Sequence, residues 1–392
     1  MYPGATMIGE EEKAAVADVL NSQSLFRYQG PKFLGKVSAF EAAFAEKMGV
    51  KYAVGVSSGT SSLFVSLTAA GVGVGDEVII PAYSWVATAA AVMATKAVPV
   101  LAEVDSSLTL DPNDFEAKIT EKTKAVIPVH MRGISCRMTE ISRIAKDRAL
   151  VVIEDCAQSC GASYQGKKLG SIGDIGAFSF QLNKILTAGE GGAVTTNEKK
   201  LFERAVMSHD IAALWREKFW GKFESHPFLG LNFRMNEITG AILLEQLKKL
   251  NRILTLTRKA KRALKEGIEG LDGIEFREIP DPEGDAGISL IFYLENHEKA
   301  KAFADALCMN NLTGPGYGTF VMYDAARPDW HVYPHWKRVT SFRGDECPRT
   351  LELLGRAVHM DVSPLLTKTD TDDIINGICM VNKQLSSDGL PA

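Results

Sequence analysis

The stretch LVVIEDCAQSCGASYQGKKLGSIGDIGAFSFQLNKILTAGEGGAVTTN, residues 150–197, carries the reading of the fold. Its bursts LVVIED, GAFSF and GGAVTTN are short and mostly apolar, the pattern of strands buried on both faces. Upstream, EVIIPA, AVPVLAEVD and AVIPVH repeat the pattern, and helical stretches such as MTEISRIAKD separate them. The chain therefore reads as α/β, a mostly parallel sheet with helices on both faces. Polar residues stand at or just beyond the ends of the bursts: Asp105, His130, Asp155 and Ser179. In open α/β sheets, ligands bind along that edge.

Lys184 sits in the same stretch among small neighbours, Thr187, Ala188, Gly189, Gly191 and Gly192, so its amine has room to reach a ligand. A lone lysine at a turn is ordinarily a surface residue. Here it has company. Asp155 closes a buried strand, and SSGTSSL (57–63) joins a strand to a helix, where backbone N–H groups and hydroxyls can hold a phosphate. Strand-end carboxylate, phosphate cradle and lysine are together the parts of a pyridoxal phosphate site.

Composition sets outer bounds. With 392 residues, 46% apolar and 23% charged, the chain is ordinary globular material for two domains. A net charge of −4 supplies no basic field for nucleic acid and no polybasic anchor for a membrane. The opening MYPGATMIGEEEKAAVADVL lacks a basic and apolar leader, so a cytoplasmic location is expected. The six cysteines, Cys136, Cys156, Cys160, Cys308, Cys347 and Cys379, form no CxxC pair and suit reduced thiols better than a disulfide framework or a metal site. From Asn236 to about Leu271 the periodicity is helical without a proline, long enough to leave one domain and begin another. The expected division is a large cofactor-binding domain over 1–250 and a smaller α+β domain over 251–392. The aromatic- and histidine-rich segment DAARPDWHVYPHW (324–336) is too distinctive for a plain spacer.

Several long motifs, in order through about residues 25–250, resemble the DegT/DnrJ/StrS sugar aminotransferases, fold type I pyridoxal phosphate enzymes. They are SSGTSSL, GVGVGDEVIIPAYSWVATAAAV, PVH followed by Gly133 and Met138, EDCAQSCGASYQGKKLGSIGDIGAFSFQLNKILTAGEGG, and GLNFRMNEITGAI. The resemblance implies a pyridoxal phosphate-dependent aminotransferase with Lys184 as the Schiff-base lysine and Asp155 as partner of the pyridine nitrogen. It also implies that Gly59, Thr60 and Ser179 bind the phosphate, that Trp85 stacks on the ring, and that Gln158 lies near the ring's 3-oxygen. Asn232 matches an asparagine that reaches the phosphate from the other subunit, which implies a homodimer with shared sites. Taken singly, most of these residues have plainer explanations as caps, packing or satisfied polar groups.

Departures from the pattern bear on substrate. Gln181 stands where many relatives have histidine, while the lysine that a dehydrating sibling branch replaces is retained. Arg132 and Arg137, in HMRGISCRM, take places often held by an aromatic and an aspartate. Together with Arg27 in FRYQG they are candidates to bind a carboxylate through forked donors. The resemblance implies an amino-acid donor, glutamate or glutamine, and a keto or aldehyde sugar acceptor. SFQLNK and DWHVYPHW resemble the branch that aminates carbon 8 of a Kdo-type octulosonate, the Kdo8N branch of lipopolysaccharide biosynthesis. Acceptors linked to a nucleotide, a cyclitol ketone, and a noncatalytic cofactor-binding sensor stay open as alternatives.

Overall fold

The computed structural model describes residues 3–309, 321–323 and 347–387; the segment 324–336 singled out above lies outside the described residues. The bursts become β1 (Tyr52–Val56), β2 (Glu77–Pro81), β3 (Val98–Ala102), β4 (Thr123–Val126) and β5 (Val151–Asp155). A short hairpin, β6 (Ser163–Tyr164) and β7 (Lys167–Lys168), precedes β8 (Ile175–Ser179) and β9 (Gly192–Thr196). All but the hairpin form one seven-stranded sheet, ordered β1-β9-β8-β5-β4-β2-β3. From β8 to β3 the neighbours run parallel, whereas β9 opposes both β1 and β8. The chain between β8 and β9 carries no crossover helix, so it returns beside the strand it left and must run antiparallel. That return loop carries Lys184 and lies at the carboxyl edge of β5 and β8.

Nine helices accompany these strands: α1 (Glu10–Ser22), α2 (Lys36–Met48), α3 (Gly59–Ala70), α4 (Val86–Ala94), α5 (Pro112–Ala117), α6 (Met138–Asp147), α7 (Lys199–His209), α8 (Glu217–Trp220) and α9 (Glu237–Ile268). Successive strand residues point to opposite faces. Ile80 and Ile153 pack with Leu63, Ala89 and Val206 of α3, α4 and α7. Their neighbours Ile79 and Val152 pack with Phe44, Ile141 and Leu247 of α2, α6 and α9. Both faces are therefore covered, as unbroken apolar bursts require.

A second, antiparallel sheet follows, ordered β10-β11-β13-β12 from β10 (Glu275–Phe276), β11 (Ser289–Tyr293), β12 (Val321–Tyr323) and β13 (Ala357–Asp361). It packs with α10 (His297–Met309) and the helices Pro348–Arg356 and Lys368–Ser387. The helix α9 runs unbroken past residue 250. Its Leu250 and Leu254 belong to the core of the large sheet, and its Ala260, Leu264 and Ile268 to that of the small one. The passage from one core to the other thus falls within one rod, between Leu254 and Ala260. Cys136, Cys156, Cys160 and Cys347 are buried as free thiols, and Cys379, also free, is half-buried. Among the described residues, no helix is long and apolar enough to cross a membrane.

Candidate active site

Asp155 is the last residue of β5 and only 5% exposed. Its Oδ2 accepts from Thr88 Oγ1 at 3.0 Å and its Oδ1 from the Ala157 N–H at 3.1 Å. Thr88, having donated its proton, takes one from Ser84 Oγ at 2.7 Å. Ser84 and Thr88 thus orient the carboxylate from the start of α4. Their signal is in the sequence: both lie in AYSWVAT, on either side of Trp85. Burial pushes the Asp155 carboxyl above its ordinary range, against the pull of the Ala157 N–H, Thr88 and Lys184. A cation placed beside it would reverse that balance.

Lys184 is held in its loop by backbone bonds: its N–H donates to Gln181 O at 2.9 Å and its carbonyl accepts from Gly4 N at 3.1 Å. Burial lowers its amine below the usual lysine range; Asp155 opposes that shift and Arg132 adds to it. Lys184, Asp155 and Arg132 therefore share one electrostatic site. Arg132 has left-handed backbone (φ 58°), a strained choice for a residue with a Cβ. Gln158 pins it, its Oε1 accepting the Arg132 N–H at 3.1 Å, while Ser289 Oγ donates to the Arg132 carbonyl at 2.9 Å. The guanidinium reaches Asp361 of β13 at 3.1 Å. One residue thus ties the sheet edge to the small domain.

The third element is a cup. Ser58 caps α3, its Oγ accepting the Ser61 N–H at 3.0 Å, which leaves the first-turn N–H groups of Gly59 and Thr60 without acceptors inside the helix. A Cβ on Gly59 would stand 2.6 Å from Ser179 Cβ, and one on Gly192 2.3 Å from Ser58 O. Glycine is required at both places for the helix start to meet the end of β8, at Gly59, and the start of β9, at Gly192. Gly59, Thr60 and Ser179 are thereby brought together. Asn232 is exposed on the adjoining segment, where Ser57 N donates to Phe233 O at 2.8 Å. Trp85 is 49% exposed at the N-cap of α4.

Two of the three candidate arginines are committed elsewhere. Arg27 is only 1% exposed and its Nη2 donates to both Glu41 oxygens at 2.8 and 2.9 Å. The expectation that it meets a substrate is corrected, because its donors face inward to a carboxylate of the chain. Arg137 donates to Asp105 at 3.0 Å and to Glu278, so its fork is already occupied by two carboxylates. Arg132 alone shares the site of Lys184.

His130, Glu154 and Cys156 place three potential metal ligands within 4.8 Å of one another. Hydrogen bonding explains the cluster without a metal. Glu154 accepts from the N–H groups of Gly170, Ile172 and Gly173 at 2.9, 2.7 and 2.7 Å, and from His130 Nε2 at 2.9 Å. His130 Nδ1 accepts from Cys136 N at 3.1 Å, so the proton of the neutral ring sits on Nε2. Cys156 keeps its proton, its thiol pushed by burial up to about 12. His130 is a buried strut.

The site suits pyridoxal phosphate on its own geometry. The glycine-lined cup has the shape and free N–H groups for a phosphate, Asp155 offers a buried carboxylate that a ring cation would stabilise, and Lys184 lies close enough to Asp155 for the two charges to act on each other. Sheet, small domain and site together define a fold type I pyridoxal phosphate-dependent aminotransferase. The chain belongs to the DegT/DnrJ/EryC1/StrS aminotransferase family, whose profile matches residues 6–379. It is 32% identical over 389 residues to the spore coat polysaccharide biosynthesis protein SpsC of Bacillus subtilis (strain 168), covering 95% of this chain and 94% of that one. It is 39% identical over 236 residues to the GDP-perosamine synthase of Escherichia coli O157:H7, over 60% of this chain; the match spans 64% of that relative's length. Among solved structures, the aminotransferase from Psychrobacter cryohalolentis superposes with a TM-score of 0.84 at 27% identity, over 99% of both chains.

Proposed function

We propose that this chain moves an amino group from glutamate or glutamine to a keto or aldehyde sugar bearing an anionic group, with a Kdo-type octulosonate as acceptor. One observation carries the substrate reading: Arg132, 16% exposed and linked electrostatically to Lys184, is the candidate arginine that shares the lysine's site. A guanidinium there favours an acceptor with a carboxylate.

Pyridoxal phosphate, when bound, supplies an aldehyde for the incoming amine and a ring that withdraws electrons from the carbon being deprotonated. The residues do the rest. Asp155, ionised, keeps a proton on the ring nitrogen, with Thr88 and the Ala157 N–H fixing its two oxygens. Lys184 Nζ is held by burial closer to neutrality, so it can take a proton from the donor's carbon and return one in the second half-reaction. Gly59, Thr60 and Ser179 would hold the phosphate, Trp85 would cover the ring and Gln158 would serve the ring's 3-oxygen side, while its Oε1 already holds the Arg132 backbone.

A cytoplasmic homodimer with shared sites is part of the same reading. Trp215 (88% exposed), Leu229 (82%), Ile211 and Leu231 are exposed on the two segments that the Asp210–Asn232 bridge joins. An apolar face of that kind beside a phosphate cup suits a second copy of the chain. Similarity to a GDP-perosamine synthase favours a second reading, an acceptor linked to a nucleotide.

A half-reaction assay separates the readings. Purified holoenzyme is mixed with single amino acids while the cofactor's absorbance is followed, then returned with a carboxylated keto sugar, a nucleotide-linked keto sugar or a neutral one. Conversion by glutamate or glutamine and fastest return by the carboxylated sugar is the expected result. Return only by the nucleotide-linked sugar overturns the first reading in favour of the second.

A further inference from the structure

Arg27 is the largest fully buried side chain of the described residues, and its position answers a problem in the sheet. β1 is an edge strand, so one side of it lacks a neighbour. Phe233 supplies an acceptor to Ser57 on that side. At Gly55, side chains take the place of a strand: Glu41 Oε1 accepts the Gly55 N–H at 2.6 Å and Arg27 Nη1 donates to the Gly55 carbonyl at 3.2 Å. The ion pair closes on itself through both Glu41 oxygens.

The same guanidinium reaches the other wall of the cup. Nη1 lies 3.2 Å from His209 Nε2, and His209 Nδ1 donates to Val206 O at 2.7 Å, so Nε2 is the acceptor. Burial and the neighbouring Arg27 charge hold His209 down to about 3, which keeps it neutral for that role. The next residue, Asp210, accepts from Arg234 at 2.7 Å and bridges to Asn232. The rings of Tyr28 and Trp220, each 4.9 Å from the guanidinium carbon, close over it.

We propose that Arg27 and Glu41 are positioning residues for the cofactor's phosphate: by fixing both polar groups of Gly55 and the end of α7, they set Ser57–Thr60 and the Asn232 segment at the spacing of one phosphate. The proposal rests on the reading of Gly59, Thr60 and Ser179 as the phosphate cup. Both charges are spent inside the fold, and neither side chain touches the ligand. What they determine is discrimination between the phosphorylated cofactor and its dephosphorylated form.

The test compares equilibrium binding of pyridoxal phosphate and of pyridoxal, by absorbance titration of apoenzyme, in wild type, Ser179→Ala, Arg27→Lys and the double variant Arg27→Met/Glu41→Leu. The double change removes both buried charges together, which folds tolerate better than removing one. The expected result is a preference for the phosphorylated form reduced about tenfold or more in both Arg27 variants, with pyridoxal affinity within about twofold of wild type. Loss of affinity for both ligands alike assigns the pair a general structural role and overturns the proposal. An unchanged preference in the Arg27 variants, with Ser179→Ala reduced, also overturns it while leaving the cup intact. No preference in wild type refutes the cup itself. Should the double variant not fold, Arg27→Lys carries the same comparison, with the phosphorus resonance of the bound cofactor as second readout: a shifted or broadened line supports the proposal, and an unchanged one overturns it.

Discussion

Arg132 Nη1 lies 3.1 Å from Asp361 Oδ1, so a residue with left-handed backbone at the edge of the large sheet is tethered to β13 of the small one. An anionic substrate approaching Arg132 meets a guanidinium that already has a carboxylate partner. Replacing Arg132 with lysine keeps the charge and loses the fork. The expected outcome is an acceptor half-reaction slowed about tenfold or more with a carboxylated sugar and little changed with a neutral one. Arg137→Lys, whose parent is engaged by Asp105 and Glu278, should change neither rate. Stopped-flow measurement of the two half-reactions decides it, and equal effects on both sugars would remove the anion preference.

Lys184→Ala should abolish covalent attachment of the cofactor and multiple turnover while leaving noncovalent binding in the cup. Borohydride reduction followed by peptide mass measurement reads the first, since wild type should carry the added mass on the Lys184 peptide. Turnover at the wild-type rate in the variant would refute the assignment.

Asp155→Asn should separate activity from stability. With cofactor bound, the loss of a carboxylate beside the ring nitrogen should cost at least about tenfold in rate, equivalent to about 1.4 kcal/mol. Without cofactor the sign reverses. Burial raises the folded-state pKa of Asp155 above the unfolded value, so its ionisation opposes folding at pH values above both and has no effect below the unfolded value. Apo Asp155→Asn should therefore gain stability relative to apo wild type as pH rises through the folded-state pKa. Parallel thermal melts at acidic and neutral pH test this, and an advantage that shrinks with rising pH contradicts it.

Glu154→Gln should destabilise the chain strongly without altering a group that meets the ligand. The substitution turns one of the two acceptor oxygens into a donor, set either against the Gly170 N–H and His130 Nε2 or against the N–H groups of Ile172 and Gly173. A cost of about 2–4 kcal/mol is expected from buried donors left unpaired, read from denaturant unfolding of the apoenzyme. Added zinc should not stabilise the wild type, since the ligand atoms are taken by hydrogen bonds.

Gly59→Ala should weaken pyridoxal phosphate binding by about tenfold or more, because the new methyl meets Ser179 Cβ and forces the cup apart. Pyridoxal binding should change less. Equal weakening of both would place the damage outside the phosphate pocket.

The apolar bursts disclosed the sheet and its ligand edge because parallel strands covered on both sides leave an unbroken apolar signature. They disclosed the mostly parallel direction but not its exception: β9 runs against its neighbours because of what lies between it and β8, not because of its own residues. The lysine and carboxylate were legible as short motifs at burst ends. Arg27 was not, since nothing in FRYQG distinguishes a guanidinium pointed at solvent from one buried against Glu41, a partner on α2. The tie from Arg132 to Asp361 joins residues more than two hundred positions apart and leaves no local mark. Ser84 and Thr88 lay inside a quoted motif, yet their bond to Asp155 is a property of packing.

The neighbours Glu154 and Asp155 divide their labour by the alternation of a strand: one carboxylate is consumed by backbone N–H groups of the chain, and the other is turned to the ligand edge. Their order acts as a phase marker for β5. Inserting one residue upstream in the strand would bring Glu154 to the ligand edge and Ile153 to the structural nest, and deleting one would bring Asp155 to the nest and Cys156 to the edge. Change by insertion and deletion is accordingly closed to β5 and open to the loops that feed it, so new acceptor preferences in such a scaffold must arise at the rim.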